Sequence, residues 1–408
     1  MATFIKIAWR NIVRNSARSS ITISAVAIGL TSLIFLKGFV DGADHQMVSN
    51  YTDMLIGHIQ IHRLGFQKSM ALDKTINNTF SVTGDFKKRS DIVAFSERIK
   101  DFALISSTEG SSGILLLGID PENEKKVSTI HKRLIQGEFL GPEDNGKIII
   151  GKTLAENLKV SLGDKVVLMS QASDGSTAAA AYDVSGILET GAEEIDKNLA
   201  LVTLKAAQDL LVLNGKISEV VVKVSSLDNV DEVEAFLKTR INLQRYEVLS
   251  WKEISPMTYQ WTQFDQVFTH LILVIVLVVV ASGILNTILM GVLERTREFG
   301  IMLALGTKPN QILFMVALES FFLGLIGTVI GTACGFGFVF YFGIKGIDLS
   351  SISSALNSFF IGSVIYTRLN PVGMGIYALI VLLVSILVAL FPAAKASRLK
   401  PIEAIHYI

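Results

Sequence analysis

Apolar residues along this chain gather into four long runs separated by stretches of a different character. Residues 20–40, 267–293, 312–341 and 371–391 are each about as long as the ~20 residues a helix needs to cross the hydrocarbon of a bilayer. Within lipid such a run must be helical, because a helix pairs its own backbone groups. Between the first two runs the pattern shortens. Residues 57–62 alternate, 114–117 and 148–150 are apolar over strand length, 220–224 read VVVKV, and 230–240 place Val230, Val233, Phe236 and Leu237 at helical spacing. Strands mixed with helix predict an α+β domain over residues 41–266.

Composition fits a chain that lives in a membrane: 50% of residues are hydrophobic, 18% are charged and the mean hydropathy is +0.48. The net charge of zero conceals a separation. Residues 41–266 carry 24 basic against 32 acidic residues. The N-terminal tail (Lys6, Arg10, Arg14, Arg18), the link after the second run (Arg295, Arg297, Lys308) and the C-terminal tail (Lys395, Arg398, Lys400), by contrast, set ten cations against only Glu294, Glu298 and Glu403. All three basic pieces fall on one side of a four-span topology, so the positive-inside rule makes them cytoplasmic. The expected fold is a membrane protein: four transmembrane helices with a large extracytoplasmic α+β domain between the first and second spans, both termini in the cytoplasm. The single cysteine, Cys334, lies in the third run, so the domain must hold together without an internal disulfide.

In chain order, residues 1–19 read as an interfacial amphipathic helix, with Lys6, Arg10, Arg14 and Arg18 every four positions among Ile5, Ile7, Trp9, Ile12 and Val13. The first span, 20–40, leads directly into KGFVD without a small-x-small site, which favours an uncleaved anchor. Trp251, Tyr259 and Trp261 suit an aromatic belt at the outer interface, and 257–270 run into the second span without a breaker, as linker or as continuing helix. In the third span, 311–342, Gly327, Gly331 and Gly335 form a small-residue face for close helix approach, within the chain or between chains. Glu319 in the same span needs a partner, a cavity or the headgroup zone. Residues 343–370 form a short outer loop with an apolar stretch, 356–365, suggesting an interfacial or re-entrant piece. The fourth span, 371–392, opens on Pro371 and closes on Pro392, before a tail over 393–408.

Candidate chemistry is sparse. Residues 146–153, GKIIIGKT, match a phosphate-loop pattern letter for letter, but Ile148, Ile149 and Ile150 are themselves strand-like where a flexible loop is needed, so nucleotide binding is not expected. His58 and His62 sit on one face of an alternating, solvent-facing strand, which argues against a metal site. No nucleophile motif stands out. The chain is expected to be non-catalytic, with no cofactor of its own.

The stretch 294–306, ERTREFGIMLALG, resembles the E-R-x-R-E-[IF]-G-x-[ML]-x-A-[LI]-G signature of ABC transporter permeases of the MacB and LolC/LolE (lipoprotein-releasing) type. The tail 391–405, FPAAKASRLKPIEAI, is similar to that family's ending, and LGIDP (117–121), IGKTLA (150–155) and GDKV (163–166) agree in order. The resemblance implies a permease subunit of the bacterial inner membrane that works as a homo- or heterodimer, with ATP and Mg bound by a separate cytoplasmic ATPase. It makes 294–310 a coupling helix seated in that ATPase, through Glu294, Arg295, Arg297, Glu298, Phe299, Gly300, Met302, Leu305 and Gly306, with Ile301 as a further apolar anchor. It divides the outer domain into a porter-like part (41–110 and 206–265) and an inserted strand-rich part (111–205). Lipoprotein cargo is the leading expectation; export of peptides or other amphiphiles with an adaptor, or FtsX-like regulation of a cell-wall hydrolase, are the alternatives. The hairpin region 170–183 is short and lacks bulky anchors, which argues against chaperone recruitment through it. Lateral access for cargo is expected beside Phe35, Phe39, Val40, Val267, Phe268 and Leu271.

Overall fold

The computed structural model describes residues 2–398 except 78, 87–88, 354–355 and 357–358. Lys400, Glu403 and the end of the tail lie outside the described residues. Helix α1 (Ala2–Arg14) is followed by α2 (Ser16–Tyr51), whose end relaxes into a π-turn, Thr52–Ile56. The domain that follows includes α3 (Pro121–Val127) and α4 (Val230–Arg240). Then come α5 (Pro256–Glu294), α6 (Thr296–Ala304), α7 (Pro309–Lys345) and α8 (Pro371–Ser397). Among the described residues four helices are long and apolar enough to cross a membrane: α2 with its π-turn, α5, α7 and α8. The fold separates into two compact units, one of residues 1–44, 263–348 and 364–408, the other of 45–262 and 349–363.

The first unit is a helix bundle in which α7 is the central packing element. Its glycine face lies against α2: a Cβ built on Gly327 would come 2.7 Å from Val26 Cβ, one on Gly331 2.8 Å from the Ala27 carbonyl, and one on Gly335 2.9 Å from Ile34. The small-residue stripe is therefore an intrachain seam. Thr31 Oγ1 donates across it to the Gly331 carbonyl at 3.1 Å. On another face, Gly324 admits Ser385 of α8, and Ser320 Oγ donates to the Ser385 carbonyl at 2.9 Å. Trp9 of α1 meets Phe322 edge-on, with centroids 6.0 Å apart. Alanine is normally the better helix former by about 1 kcal/mol. At Gly331, however, the added methyl meets backbone that cannot swing aside, so Gly331→Ala should lower the melting temperature of the detergent-solubilised chain, at a cost of about 1–3 kcal/mol. Gly337 has nothing within 4 Å of its would-be Cβ; Gly337→Ala is the matched control and should leave melting unchanged or raise it.

The second unit is built on a ten-stranded sheet. Its strands are β1 (Ile59–Arg63), β2 (Ile92–Ser106), β3 (Ser111–Ile119), β4 (Leu134–Gly137) and β5 (Lys147–Gly151). They continue with β6 (Lys165–Gln171), β7 (Thr177–Leu188), β8 (Leu199–Thr203), β9 (Glu219–Val224) and β10 (Tyr246–Ser250). The spatial order is β10-β1-β9-β2-β3-β8-β5-β7-β4, with β6 against β2 and β7. Strands from the two flanks of the domain occupy one end, and strands from between them the other. The long β2 joins both, pairing β9 along its first half and β3 along its second. Ile59, Ile61, Val220, Val222, Val233 and Leu237 pack at the flank end, and Ile99, Leu116, Ile148, Ile150 and Leu168 at the other.

Two expectations differ from the structure. Strand β1 is interior rather than solvent-facing: β9 and β10 flank it, and His58, Gln60 and His62 are all buried. Trp251 is not part of an interfacial belt but packs in the flank core. The outer loop packs largely on the sheet-containing unit. Residues 349–363 belong to the sheet-containing unit, where Asn50 Nδ2 donates to the Phe360 carbonyl at 2.8 Å, Tyr51 lies 4.8 Å from Phe360, and Trp261 meets Phe359 at 6.0 Å. On either side of it, Ile347–Asp348 and Val364–Ile365 form a short antiparallel pair.

Candidate functional site

The link 294–306 is a compact turn of helix between α5 and α7. Helix α5 stops at Glu294, and Thr296 Oγ1 turns back to the Val292 and Leu293 carbonyls, at 3.2 and 2.8 Å. Helix α6 ends when Gly306 takes a φ of +94°, a left-handed conformation that suits glycine, while Thr307 N–H donates to the Met302 carbonyl at 3.0 Å. Pro309 then opens α7 at a position where its missing N–H costs nothing.

The two faces of α6 differ in kind. On the inner face Phe299 is only 1% exposed, Thr296 and Gly300 are buried, and Met302 is half-buried against the bundle core. The Arg295 guanidinium lies 5.2 Å over the Phe299 ring. Its Nε donates to Glu298 at 2.8 Å, and its Nη1 reaches Glu319 of α7 at 3.3 Å. Arg14 Nη2 donates to the other oxygen of Glu298 at 3.1 Å, and Arg18 pairs with Glu294. Burial pushes the Glu298 carboxyl up, but the hydrogen bonds and charges of Arg295 and Arg14 outweigh it and hold it below the ordinary range, so it stays ionised. Three arginines and three glutamates thus form an electroneutral lattice that ties the start of the chain, the link and α7 together. A small cavity beside it has a mixed lining, polar from Arg18, Arg295 and Glu319 and apolar from Val292, Phe299 and Val316.

The outer face carries Arg297, Ile301 (44% exposed), Ala304 and Leu305 (83% exposed), followed by exposed Lys308. Spacings of three and four put these on one side of the helix. Of the residues expected at the link, the structure turns Arg295 and Phe299 inward, so Phe299 is no anchor for a partner's groove. Glu294 and Glu298 pair with Arg18 and Arg14 while staying about half exposed, and Gly300 and Gly306 serve packing and the turn. Arg297, Ile301 and Leu305 remain on offer. The pairing of Arg14 and Arg18 with the link was missed, because these cations read as headgroup-facing. A signal was present: Arg14 and Arg18, like Glu294 and Glu298, stand four residues apart.

Glu319 has the Arg295 partner that its depth demands. Phe35 is half-buried against Phe338 and Phe342, at 6.3 and 5.7 Å, with Phe39 and Val40 also half-buried, whereas Val267, Phe268 and Leu271 are exposed on α5. The phosphate-loop look-alike forms β5 and then directly a short helix, Lys152–Leu158, with Lys152 Nζ on Glu189 at 2.7 Å; no loop is left to cradle a phosphate. His58 Nδ1 accepts from Val224 N–H at 3.0 Å, and His62 Nε2 lies 3.2 Å from Glu219. Among the described residues no group of side chains is placed to hold a metal ion.

Comparison with known proteins agrees with this architecture. The family model described as "MacB-like periplasmic core domain" matches residues 19–240, more than half of the chain, and that described as "FtsX-like permease C-terminal" matches residues 270–401. The lipoprotein-releasing system transmembrane protein LolC of Neisseria meningitidis is 24% identical over 97% of this chain and 96% of its own length. LolC of Xylella fastidiosa is 27% identical over 72% of this chain and 73% of its own. The macrolide export ATP-binding/permease protein MacB of Hyphomonas neptunium is 23% identical over 99% of this chain and 61% of its own. With a domain of periplasmic core type set between the first two of four spanning helices, and a permease-type C-terminal half, this chain belongs to the ABC transporter permeases of the MacB/LolC type.

Proposed function

We propose that this chain is the membrane subunit through which an ATPase on a partner chain drives its periplasmic domain to release lipoproteins from the bacterial inner membrane. In this reading the termini and the link are cytoplasmic, the partner binds ATP and Mg, and a second permease subunit completes a dimer. The observation that carries the coupling is the division of α6. Its inner face is consumed by the arginine–glutamate lattice, and its outer face leaves Arg297, Ile301 and Leu305 for a groove on a soluble protein. A link serving only to set topology would need the arginines but not the exposed Ile301 and Leu305. Lipoprotein cargo is favoured by the match to LolC, which spans 96% of that relative.

The test is reconstitution of the chain with its co-purified partners in proteoliposomes carrying a lipidated reporter protein. The expected outcome is ATP-dependent release of the reporter. Hydrolysis without release would remove lipoprotein as cargo, and activation of a cell-wall hydrolase would replace transport by regulation.

A further inference from the structure

Helix α2 does not end in an ordinary cap. Its last turn widens into the π-turn Thr52–Ile56, and Gly57, at a φ of +71°, closes it by donating to the Thr52 carbonyl at 2.8 Å. Single π-turns often mark functional positions, because they leave carbonyls open to outside donors. Three such donors are present. Thr129 N–H reaches the Asp53 carbonyl at 2.7 Å, Gln60 Nε2 the Ile56 carbonyl at 2.6 Å, and Arg98 Nη1 the Leu55 carbonyl at 2.6 Å.

Arg98 is the notable donor, being 2% exposed and at the point where β2 passes from one partner strand to the other. In register it stands opposite Glu219 of β9 and Ile119 of β3. Glu219 stands opposite His62 of β1, and His62 opposite Glu247 of β10, so one polar row crosses four strands. From Arg98, Nε and Nη2 donate to both Glu124 carboxylate oxygens on α3, at 2.9 and 2.6 Å, and Nη1 lies 3.6 Å from Glu219. Burial pushes the Glu219 carboxyl up, but the His62 hydrogen bond and the charges of Lys100, His62 and Arg98 outweigh it and bring it down to about 2. One guanidinium therefore holds the end of the first-span helix, the flank strands through Glu219 and the inserted part through Glu124. Buried ion networks of this kind gain little stability over apolar packing of the same shape. A purely structural need would be met more cheaply by hydrophobic side chains.

We propose that Arg98 is the positioning residue that passes movement of α2 into both parts of the periplasmic domain. This rests on the reading that an ATPase drives the chain. The experiment uses the full chain with its partner ATPase in nanodiscs, in a Cys334→Ser background. Spin labels are placed at exposed Ile330 of α7 and at exposed Leu162 or Leu243 of the domain, and distances are measured with and without ATP. Wild type should show an ATP-driven distance change at both domain positions; its absence there would sink the driving reading itself. Arg98→Lys keeps the charge but not the three-way reach. It should cut the change at least twofold at both positions, with hydrolysis and melting close to wild type. Arg98→Met combined with Glu124→Gln, which avoids stranding a second buried carboxylate, should do the same. A wild-type distance change in both variants, or a loss of hydrolysis matching the loss of movement, would overturn the proposal.

Discussion

A chain carrying Ile301→Asp and Leu305→Asp is expected to insert and fold as wild type does, yet to lose the ATPase partner proposed for it. Both side chains project from the outer face of α6, and Leu305 is 83% exposed in the isolated chain. Their replacement removes nothing from the bundle core. An apolar anchor at the centre of a protein interface is worth about 2 kcal/mol, and a buried carboxylate without a partner costs more than the lost contact alone. Together the two substitutions should weaken association at least about a hundredfold, and co-purification at micromolar concentration would fail. Leu243→Asp, at an exposed position in the sheet-containing unit, is the control and should keep the partner bound. Arg297→Ala should give a milder loss with stronger salt dependence, because an exposed charge contributes steering more than affinity.

The second large effect concerns the inner face. Arg295→Leu should destabilise the bundle by about 3–5 kcal/mol, because it strands Glu319 inside the protein with its charge unmatched. Glu319→Leu should cost less, since Glu298 still holds the guanidinium at 2.8 Å. Combining Arg295→Leu with Glu319→Leu should recover most of the loss, a non-additivity that a double-mutant cycle on detergent melting measures. Arg14→Ala breaks a pair that is about half exposed on both sides, and its effect should stay within about 1 kcal/mol. If the double variant is no better than Arg295→Leu alone, the Arg295–Glu319 pair is not what holds the link to α7.

The spans were legible because the bilayer imposes a length and a polarity that sequence displays directly. Pro309, Pro371 and the break after Glu294 mark helix ends by local chemistry that needs no tertiary context. The glycine face of α7 could also be read, but not what it packs against: only the approach of Val26, Ala27 and Ile34 makes it an intrachain seam. Strand β1 shows the limit more clearly. GHIQIH alternates as a half-solvated strand would, and its burial depends on β9 and β10, both distant in sequence. Its polar positions survive burial because His62 finds Glu219 and Gln60 finds the Ile56 carbonyl. Trp251 misled for a related reason. An aromatic residue near a span is usually interfacial, but here a capping box from Ser250 and Glu253 turns a short helix that drops the ring into the core.

At the link, residue types were legible and their directions were not. A nine-residue helix has too few turns to reveal which side faces protein. Arg295 and Arg297 look equivalent in sequence, and only Glu319, on another helix, separates the inward arginine from the outward one. The same holds for Phe299 against Leu305: the aromatic ring is the more obvious anchor, yet it packs in the bundle core beneath the Arg295 guanidinium.

Docking of an ATPase on the outer face of α6 is tested by site-specific photocross-linking in membranes, with the photoreactive residue placed in turn at Leu305, Ile301 and Phe299. Adducts with an ABC-type ATPase are expected from Leu305 and Ile301 and none from buried Phe299. Adducts absent from the outer positions, or formed there only with proteins that bind no ATP, would contradict it.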